Sequence, residues 1–157
     1  MKVAVIGTGN IGSGLGKLWA KKGHHVMFGS RTPEKAKSLA SEIGGNASGG
    51  SVAEAARFGE VILLSVPYHA AAEAVQACGD LAGKVVLDCT NPLNRDMSGL
   101  VIGFDSSAAE EIAKVAKGAK VVKGLNTIFA QINQSGNPDF NGQVPSVFYC
   151  GDDSEAK

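Results

Sequence analysis

Residues 2–12, KVAVIGTGNIG, leave this chain few folds to choose from. Val3, Ala4, Val5 and Ile6 form the short unbroken apolar run of a parallel strand buried on both faces. Gly7, Gly9 and Gly12 follow at once in G-x-G-x-x-G spacing. A helical period then sets in, with Ile11, Leu15, Leu18 and Trp19 on one face. Strand, glycine turn and helix in that order open a dinucleotide-binding βαβ unit. There Gly7 allows the tight turn, Gly9 lets the backbone come close to a pyrophosphate, and Gly12 lets helix and strand pack closely. The pyrophosphate sits at the helix N-terminus, where unpaired N–H groups and the positive dipole end favour an anion. A glycine-rich turn that binds nothing is the alternative. Gly14 and Gly16 are poor helix formers, and mark where the helix lies against sheet or cofactor; close packing alone explains them as well.

Composition excludes several classes of function. Lys plus Arg and Asp plus Glu balance at 15 each, so there is no electrostatic case for nucleic acid or an anionic membrane as partner. At 157 residues, 44% hydrophobic and 19% charged, the chain is expected to be one globular domain over residues 1–157. It opens directly on a strand, so no signal peptide is expected, and no apolar run is long enough to span a bilayer. Cys78, Cys89 and Cys150 are widely spaced, which predicts neither a disulfide framework nor a zinc site. His24 and His25 have no ligating neighbours, so no metal is expected, and a reducing cytoplasm is the simplest compartment.

The first helix should stop at Gly23 and a second strand should run over residues 25–29. The end of that strand selects the cofactor. An Asp or Glu about 20 residues past the glycines receives the ribose 2′-hydroxyl of NAD, whereas an Arg accepts the 2′-phosphate of NADP. Here Gly29, Ser30, Arg31 and Thr32 contain no acid. Arg31 can fork onto phosphate oxygens, Ser30 and Thr32 can donate hydroxyl hydrogen bonds, and Lys35 adds a mobile charge. NADP is therefore favoured over NAD. Thr32-Pro33-Glu34 also reads as N-cap, N1 and N2 of the second helix, and capping and binding can coexist.

The second helix presents Ala36, Leu39, Ala40 and Ile43 and stops at Gly44, with room for a very short strand near Ala47. Ser51-x-x-Glu54 is a capping box for a third helix closed by Gly59. VILLSV at 61–66 is the strongest buried strand, and Pro67 ends it at the edge where open α/β sheets bind ligands. Ser65, Val66, Pro67, Tyr68 and His69 are thus cofactor- or substrate-edge candidates. His69, the only histidine on that edge, is the candidate acid–base residue, although hydride transfer between two rings needs none. A helix over 70–78 should bury Ala70, Ala74, Val75 and Cys78. After a strand at 84–89, Thr90 and Asn91 offer neutral hydrogen-bonding groups where a nicotinamide carboxamide would lie; an Asx turn before Pro92 explains them equally. Residues 94–105 read as a loop. Ser107-x-x-Glu110 caps a helix presenting Ala109, Ile112, Ala113 and Ala116 and ending at Gly118. A strand at 120–125 delivers Asn126 and Thr127 to the same edge, residues 128–143 read as a long loop, and 146–150 as a last strand. Gly151-Asp152-Asp153-Ser154 then reads as a helix start close to the chain's end, so a longer parent protein is expected. The alternation of strands and helices predicts an α/β fold, a Rossmann-like doubly wound, mostly parallel sheet.

GTGNIG at 7–12, GSR at 29–31, VPYHA at 66–70, LNTI at 125–128 and CGDD at 150–153 together resemble the NADP oxidoreductases that use the deazaflavin coenzyme F420. Mammalian-type ferric reductases carry a related NADPH-binding domain. The resemblance covers essentially the whole chain. It implies a Rossmann-like domain with a helical C-terminal extension, usually dimeric, so a homodimer is expected of the full-length protein. It also implies hydride transfer between NADP(H) and a deazaflavin or flavin ring as small-molecule acceptor. By position, Thr8, Gly9, Asn10 and Ile11 would hold the pyrophosphate, and Ser30 and Arg31 the 2′-phosphate. Val66 and Pro67 would border the ribose and nicotinamide, and Asn126 and Thr127 would lie near the facing ring. Two other readings stay open: a module that binds NADP without turnover, and an imine reductase resembling pyrroline-carboxylate reductases.

Overall fold

Both faces of the first strand are buried, and the rest of the molecule follows from that. In β1 (Lys2–Ile6) Val3 and Val5 face one layer, while Ala4 and Ile6 face the other. The coordinates are a computed structural model, which describes residues 1–135 and 142–156. β1 is flanked by β2 (His25–Ser30) and β4 (Val61–Leu64), with Val5 opposite Phe28 on one side and Leu63 on the other. β3 (Ala47–Ser51) lies outside β2. β5 (Val85–Asp88), β6 (Lys120–Gly124) and β7 (Tyr149–Gly151) continue beyond β4. The sheet order is β3-β2-β1-β4-β5-β6-β7; β1 to β6 run parallel and β7 is antiparallel to β6.

One layer packs Val3, Val5, Phe28 and Leu63 against Leu15 and Ala20 of α1 (Asn10–Lys21) and Ala36 and Ala40 of α2 (Pro33–Ile43). The other packs Ala4, Ile6, Ile62, Leu64 and Val86 against α3 (Val52–Phe58), α4 (Ala71–Cys78) and α5 (Ala108–Val115). Phe28, Ile6, Ile62, Leu63 and Leu64 are fully buried, each worth roughly 1.5–3 kcal/mol relative to an exposed side chain. The sheet is therefore doubly wound, as the sequence pattern predicts. The chain reverses after β3: α3 carries it back across to β4, beside β1. That reversal is a topological switch point, where ligand crevices form.

Both capping boxes are made. Glu54 N–H donates to Ser51 Oγ at 3.2 Å, and Ser51 N–H donates to Glu54 Oε2 at 2.8 Å. Ser107 and Glu110 repeat the pair at 3.2 and 2.7 Å. Gly23 and Gly44 close their helices at positive φ, whereas α5 ends earlier than expected, at Val115 with Ala116 as its C-cap, and Gly118 follows in the turn at φ +75.

Several expectations shift. β4 ends at Leu64, two residues early, although Ser65 N–H still donates to Ile6 O at 2.9 Å. Residues 68–70 form a 3-10 turn, and α4 buries Ala71 rather than Ala70, with Val75 and Cys78. α5 buries Ala108 and leaves Ala113 exposed. Val75, Cys78, Ile112 and Ala116 are buried as expected, and the differences fall on alanines, which give the helical period little contrast. The expected loop 128–143 contains a helix, α6 (Ala130–Ser135), packed on α1; residues 136–141 of that loop lie outside the described residues. A Cβ on Gly14 would come within 2.9 Å of Gln134, so Gly14 admits α6 rather than sheet or cofactor. A Cβ on Gly16 would strike the Phe28 ring, which is helix-on-sheet packing. The last strand sits at Tyr149–Gly151, not at 146–150. Beyond it Asp153 Oδ1 accepts the N–H groups of Glu155 and Ala156 at 3.0 and 3.1 Å, holding a turn where a helix start was read.

Candidate functional site

The C-terminal ends of β1, β2 and β4 open into a crevice of about 280 Å³ at the switch point. Its floor is the glycine turn: Ile6, Gly7, Thr8 and Gly9. Gly7 adopts φ +110, a conformation that L side chains rarely reach, and its N–H donates to Gly29 O at 3.0 Å. A Cβ on Gly12 would strike the Gly7 carbonyl oxygen and come within 2.5 Å of Ser65 Oγ, so α1 presses directly onto the turn. A Cβ on Gly9, by contrast, would meet nothing within 4 Å. Gly9 is also the N-cap of α1, with no side-chain cap and no acidic residue in the first turn. The helix thus begins with N–H groups that nothing in its own turn can accept, beside open space of the kind a phosphate fills. Asn10, exposed at the first helical position, accepts Gln134 Nε2–H at its carbonyl, 3.2 Å away. Asn10, Ile11 and Gly12 back the turn rather than line the crevice.

One wall carries positive charge. Gly29, Ser30, Arg31, Thr32 and Lys35 line it. Thr32 N–H donates to Ser30 Oγ at 3.1 Å, which folds the loop and turns Arg31 outward with its side chain 76% exposed. Thr32 holds the N-cap position of α2, with Pro33 in the first turn, but its hydroxyl makes no cap bond. The opposite wall is apolar: Val52, Val66, Pro67, Ala70, Ala74 and Ala77. Glu73 of α4 joins it, its Oε2 4.0 Å from Arg31 Nη1. Sequence reasoning missed this acid because it belongs to a different βα unit from the cations it faces. Ser65 lines the crevice, yet its hydroxyl donates back to Ile6 O at 2.9 Å, bracing the end of β1.

The remaining candidates gather at the ends of β5 and β6. Asn91 Nδ2 donates to Asn126 O at 3.0 Å, and Asn126 Nδ2 donates to Asn91 Oδ1 at 3.2 Å. Beneath this amide pair lies a buried ionic cluster that the sequence reading did not include. Asp88 is fully buried; Lys123 Nζ lies 2.9 Å from its Oδ2 and also donates to the Thr90 carbonyl. Thr90 N–H donates to Asp88 Oδ1 at 2.8 Å, while the buried Thr90 Oγ1 has no partner among the described residues. Leu125, just before Asn126, sits at φ +62. Thr90, Asn91 and Asn126 therefore share one edge, but apart from the lining of the crevice. Tyr68 packs into the layer beneath α5, where burial, helped by Glu111 and Asp88, raises its phenol above the ordinary value. His69 is exposed on the 3-10 turn and does not line the crevice. Burial lifts the Cys78 thiol to about 11 and the Cys89 thiol to about 12, which makes both poor nucleophiles. Among the described residues no helix is long and apolar enough to cross a membrane.

Residues 2–92 match the family described as coenzyme F420-dependent NADP oxidoreductases. The chain is 35% identical over 145 residues to the F420-dependent NADP reductase of Methanothermobacter marburgensis, covering 83% of this chain and 65% of that protein. It is 31% identical over 156 residues to the metalloreductase STEAP3 of Rattus norvegicus, covering 99% of this chain and 30% of that one. The chain thus spans less than two-thirds of the length of either relative. Among solved structures, a provisional F420-dependent NADP reductase from Arthrobacter sp. FB24 superposes with a TM-score of 0.87 at 29% identity, covering 99% of this chain and 76% of that chain.

Proposed function

The chain belongs to the coenzyme F420-dependent NADP oxidoreductase family, and from that premise we propose that it binds NADP(H) in the switch-point crevice as the nucleotide half of a hydride-transfer enzyme. One observation carries the reading: the uncapped helix start at Gly9, with open space before it, shares a crevice with Arg31, Ser30, Thr32 and Lys35. The pyrophosphate is held by backbone N–H groups from Thr8 to Gly12, and the 2′-phosphate by Arg31, Ser30, Thr32 and Lys35. Val66 and Pro67 border the ribose, and Thr90, Asn91 and Asn126 form the edge toward the nicotinamide. The bound nicotinamide supplies or accepts a hydride, and the facing acceptor is a deazaflavin such as coenzyme F420 or a flavin. The chain's own part is positional: it grips the phosphates, orients the ring and keeps water out. No side chain is required to move a proton, which fits the exposed position of His69. A cytoplasmic location and a homodimer of the longer protein complete this reading.

The test is a titration of NADPH and NADH into the chain and into Arg31→Ala. A charge-assisted contact is worth roughly 1.5–3 kcal/mol, so the mutant should lose a preference of about tenfold or more. Equal binding of the two cofactors by the unmutated chain refutes NADP selection. A second reading is an NADP-binding module without turnover. NADPH oxidation that depends on added coenzyme F420 or FMN excludes it.

A further inference from the structure

We infer that Glu73 is a specificity-determining residue that sets how strongly this crevice prefers a 2′-phosphate over a 2′-hydroxyl; the inference rests on the NADP reading above. The loop after β2 carries no carboxylate, so at that edge only cations meet the adenosine ribose. The crevice nevertheless contains an acid. Of its charged lining residues, Arg31 and Lys35 stand on one wall and Glu73 on the other, with Glu73 Oε2 4.0 Å from Arg31 Nη1. A carboxylate at the β2 edge is what ordinarily selects NAD, by accepting the 2′-hydroxyl and repelling a 2′-phosphate. Here the same charge arrives across the crevice, from α4.

Its place is fixed by the core. Glu73 lies in the first turn of α4, where the helix dipole favours a carboxylate. Ala71, Val75 and Cys78 anchor that helix in the hydrophobic layer, so the Glu73 backbone stays on the crevice wall and only rotation of its side chain can carry the carboxylate away from Arg31. A 2′-phosphate engaging Arg31 would share the guanidinium's surroundings with the Glu73 carboxylate, which makes no hydrogen bond to it at 4.0 Å. The pair is exposed, its side chains 76% and 69% accessible, so it is weak and a phosphate wins Arg31 easily. What persists is repulsion between two anions a few ångströms apart, which taxes NADPH. The uncharged 2′-hydroxyl of NADH feels none of it and can donate to the carboxylate.

The experiment is NADPH and NADH titration into the unmutated chain, Glu73→Gln and Arg31→Ala, at low and at physiological ionic strength. Glu73→Gln keeps the size of the side chain and removes its charge, and an exposed position carries no threat to folding. NADPH should tighten by about threefold to tenfold at low salt, an effect that shrinks as salt is added. NADH should stay unchanged or weaken. Unchanged NADPH affinity overturns the inference. So does an equal loss for both cofactors, which would make Glu73 a contact of the shared adenosine. If Arg31→Ala removes an NADPH preference while Glu73→Gln alters nothing, this inference alone fails. If the unmutated chain has no NADPH preference and Arg31→Ala changes neither affinity, the NADP reading fails and takes the inference with it.

Discussion

Replacing Lys123 by Met would test whether the ends of β5 and β6 are held together by charge. Lys123 Nζ lies 2.9 Å from Asp88 Oδ2 and donates to the Thr90 carbonyl, while Asp88 Oδ1 accepts the Thr90 N–H at 2.8 Å. Methionine preserves most of the stem's packing but leaves the Asp88 carboxylate, 0% exposed, without its cation. Breaking a buried pair from one side costs about 3–5 kcal/mol. The Lys123 side chain is 16% exposed, so water can reach the vacated end, which places the cost near the lower limit. At roughly 2–4 °C per kcal/mol for a domain of this size, the melting temperature should fall by about 6–12 °C. Asp88→Asn should cost less: Asn retains an oxygen for the Thr90 N–H, and the freed ammonium can turn outward to solvent. The double variant Asp88→Asn/Lys123→Met should then be more stable than Lys123→Met alone, a non-additivity expected only of coupled partners. Thermal and urea melts of all four proteins measure it. Lys123→Met melting within about 2 °C of the parent, or a double variant worse by the sum of the two, would refute the reasoning.

Other outcomes follow from the same coordinates. Gly12→Ala should destabilise the fold by about 1–3 kcal/mol or more, because its Cβ meets the Gly7 carbonyl, which is backbone and cannot yield; Gly9→Ala, facing open space, should melt like the parent yet bind NADPH more weakly. Of the three cysteines, Cys150 is exposed while Cys78 and Cys89 are buried with thiols raised to about 11 and 12, so mass spectrometry after brief iodoacetamide treatment at pH 8 should find one label on the native protein and three after denaturation. Glu54, Asp96, Glu111 and Asp153 are each held below their ordinary carboxyl values, by the Ser51 N–H, the Ser98 hydroxyl, Lys114 and Lys120 respectively. Carboxyls lowered on folding stabilise above their unfolded values and lose that contribution as pH falls through the folded ones. The melting temperature should therefore hold from pH 7 to about pH 5 and drop below it; a flat profile down to pH 3 contradicts these pairings.

Local signals carried most of the fold into view. The glycine turn, the Pro33 helix start and the two Ser-x-x-Glu boxes each lie within a few residues of the atoms they organise, and each forms as read. What stayed hidden depends on contacts distant in sequence. Asp88 and Lys123 are 35 residues apart, each unremarkable inside its own strand, and Glu73 meets Arg31 only across the crevice. α6, AQINQS, buries no residue and shows no apolar stripe. It forms where Gly14 leaves room on α1, a tertiary reason that its own sequence does not display. The antiparallel direction of β7 likewise cannot be read from its three residues.

The two halves of the ligand edge are built on different principles, and this bears on which half tolerates change. At the glycine turn the backbone is shaped by residue type: Gly7 takes φ +110 at no steric cost, and Gly12 closes the helix onto it. At the exits of β5 and β6 the backbone is shaped against residue type. Leu125 sits at φ +62, a conformation that costs a residue with a Cβ roughly 1–2 kcal/mol. It persists because its neighbours are tied from both sides: Asn126 by the reciprocal amide pair with Asn91, and Thr90 by Asp88 and Lys123. Strain held by an over-determined surround is released when a tie is cut. Substitutions at Asn91 or Lys123 should therefore move the edge assigned to the nicotinamide while leaving the phosphate grip in place, so that NADPH still binds with its 2′-phosphate preference while hydride transfer slows.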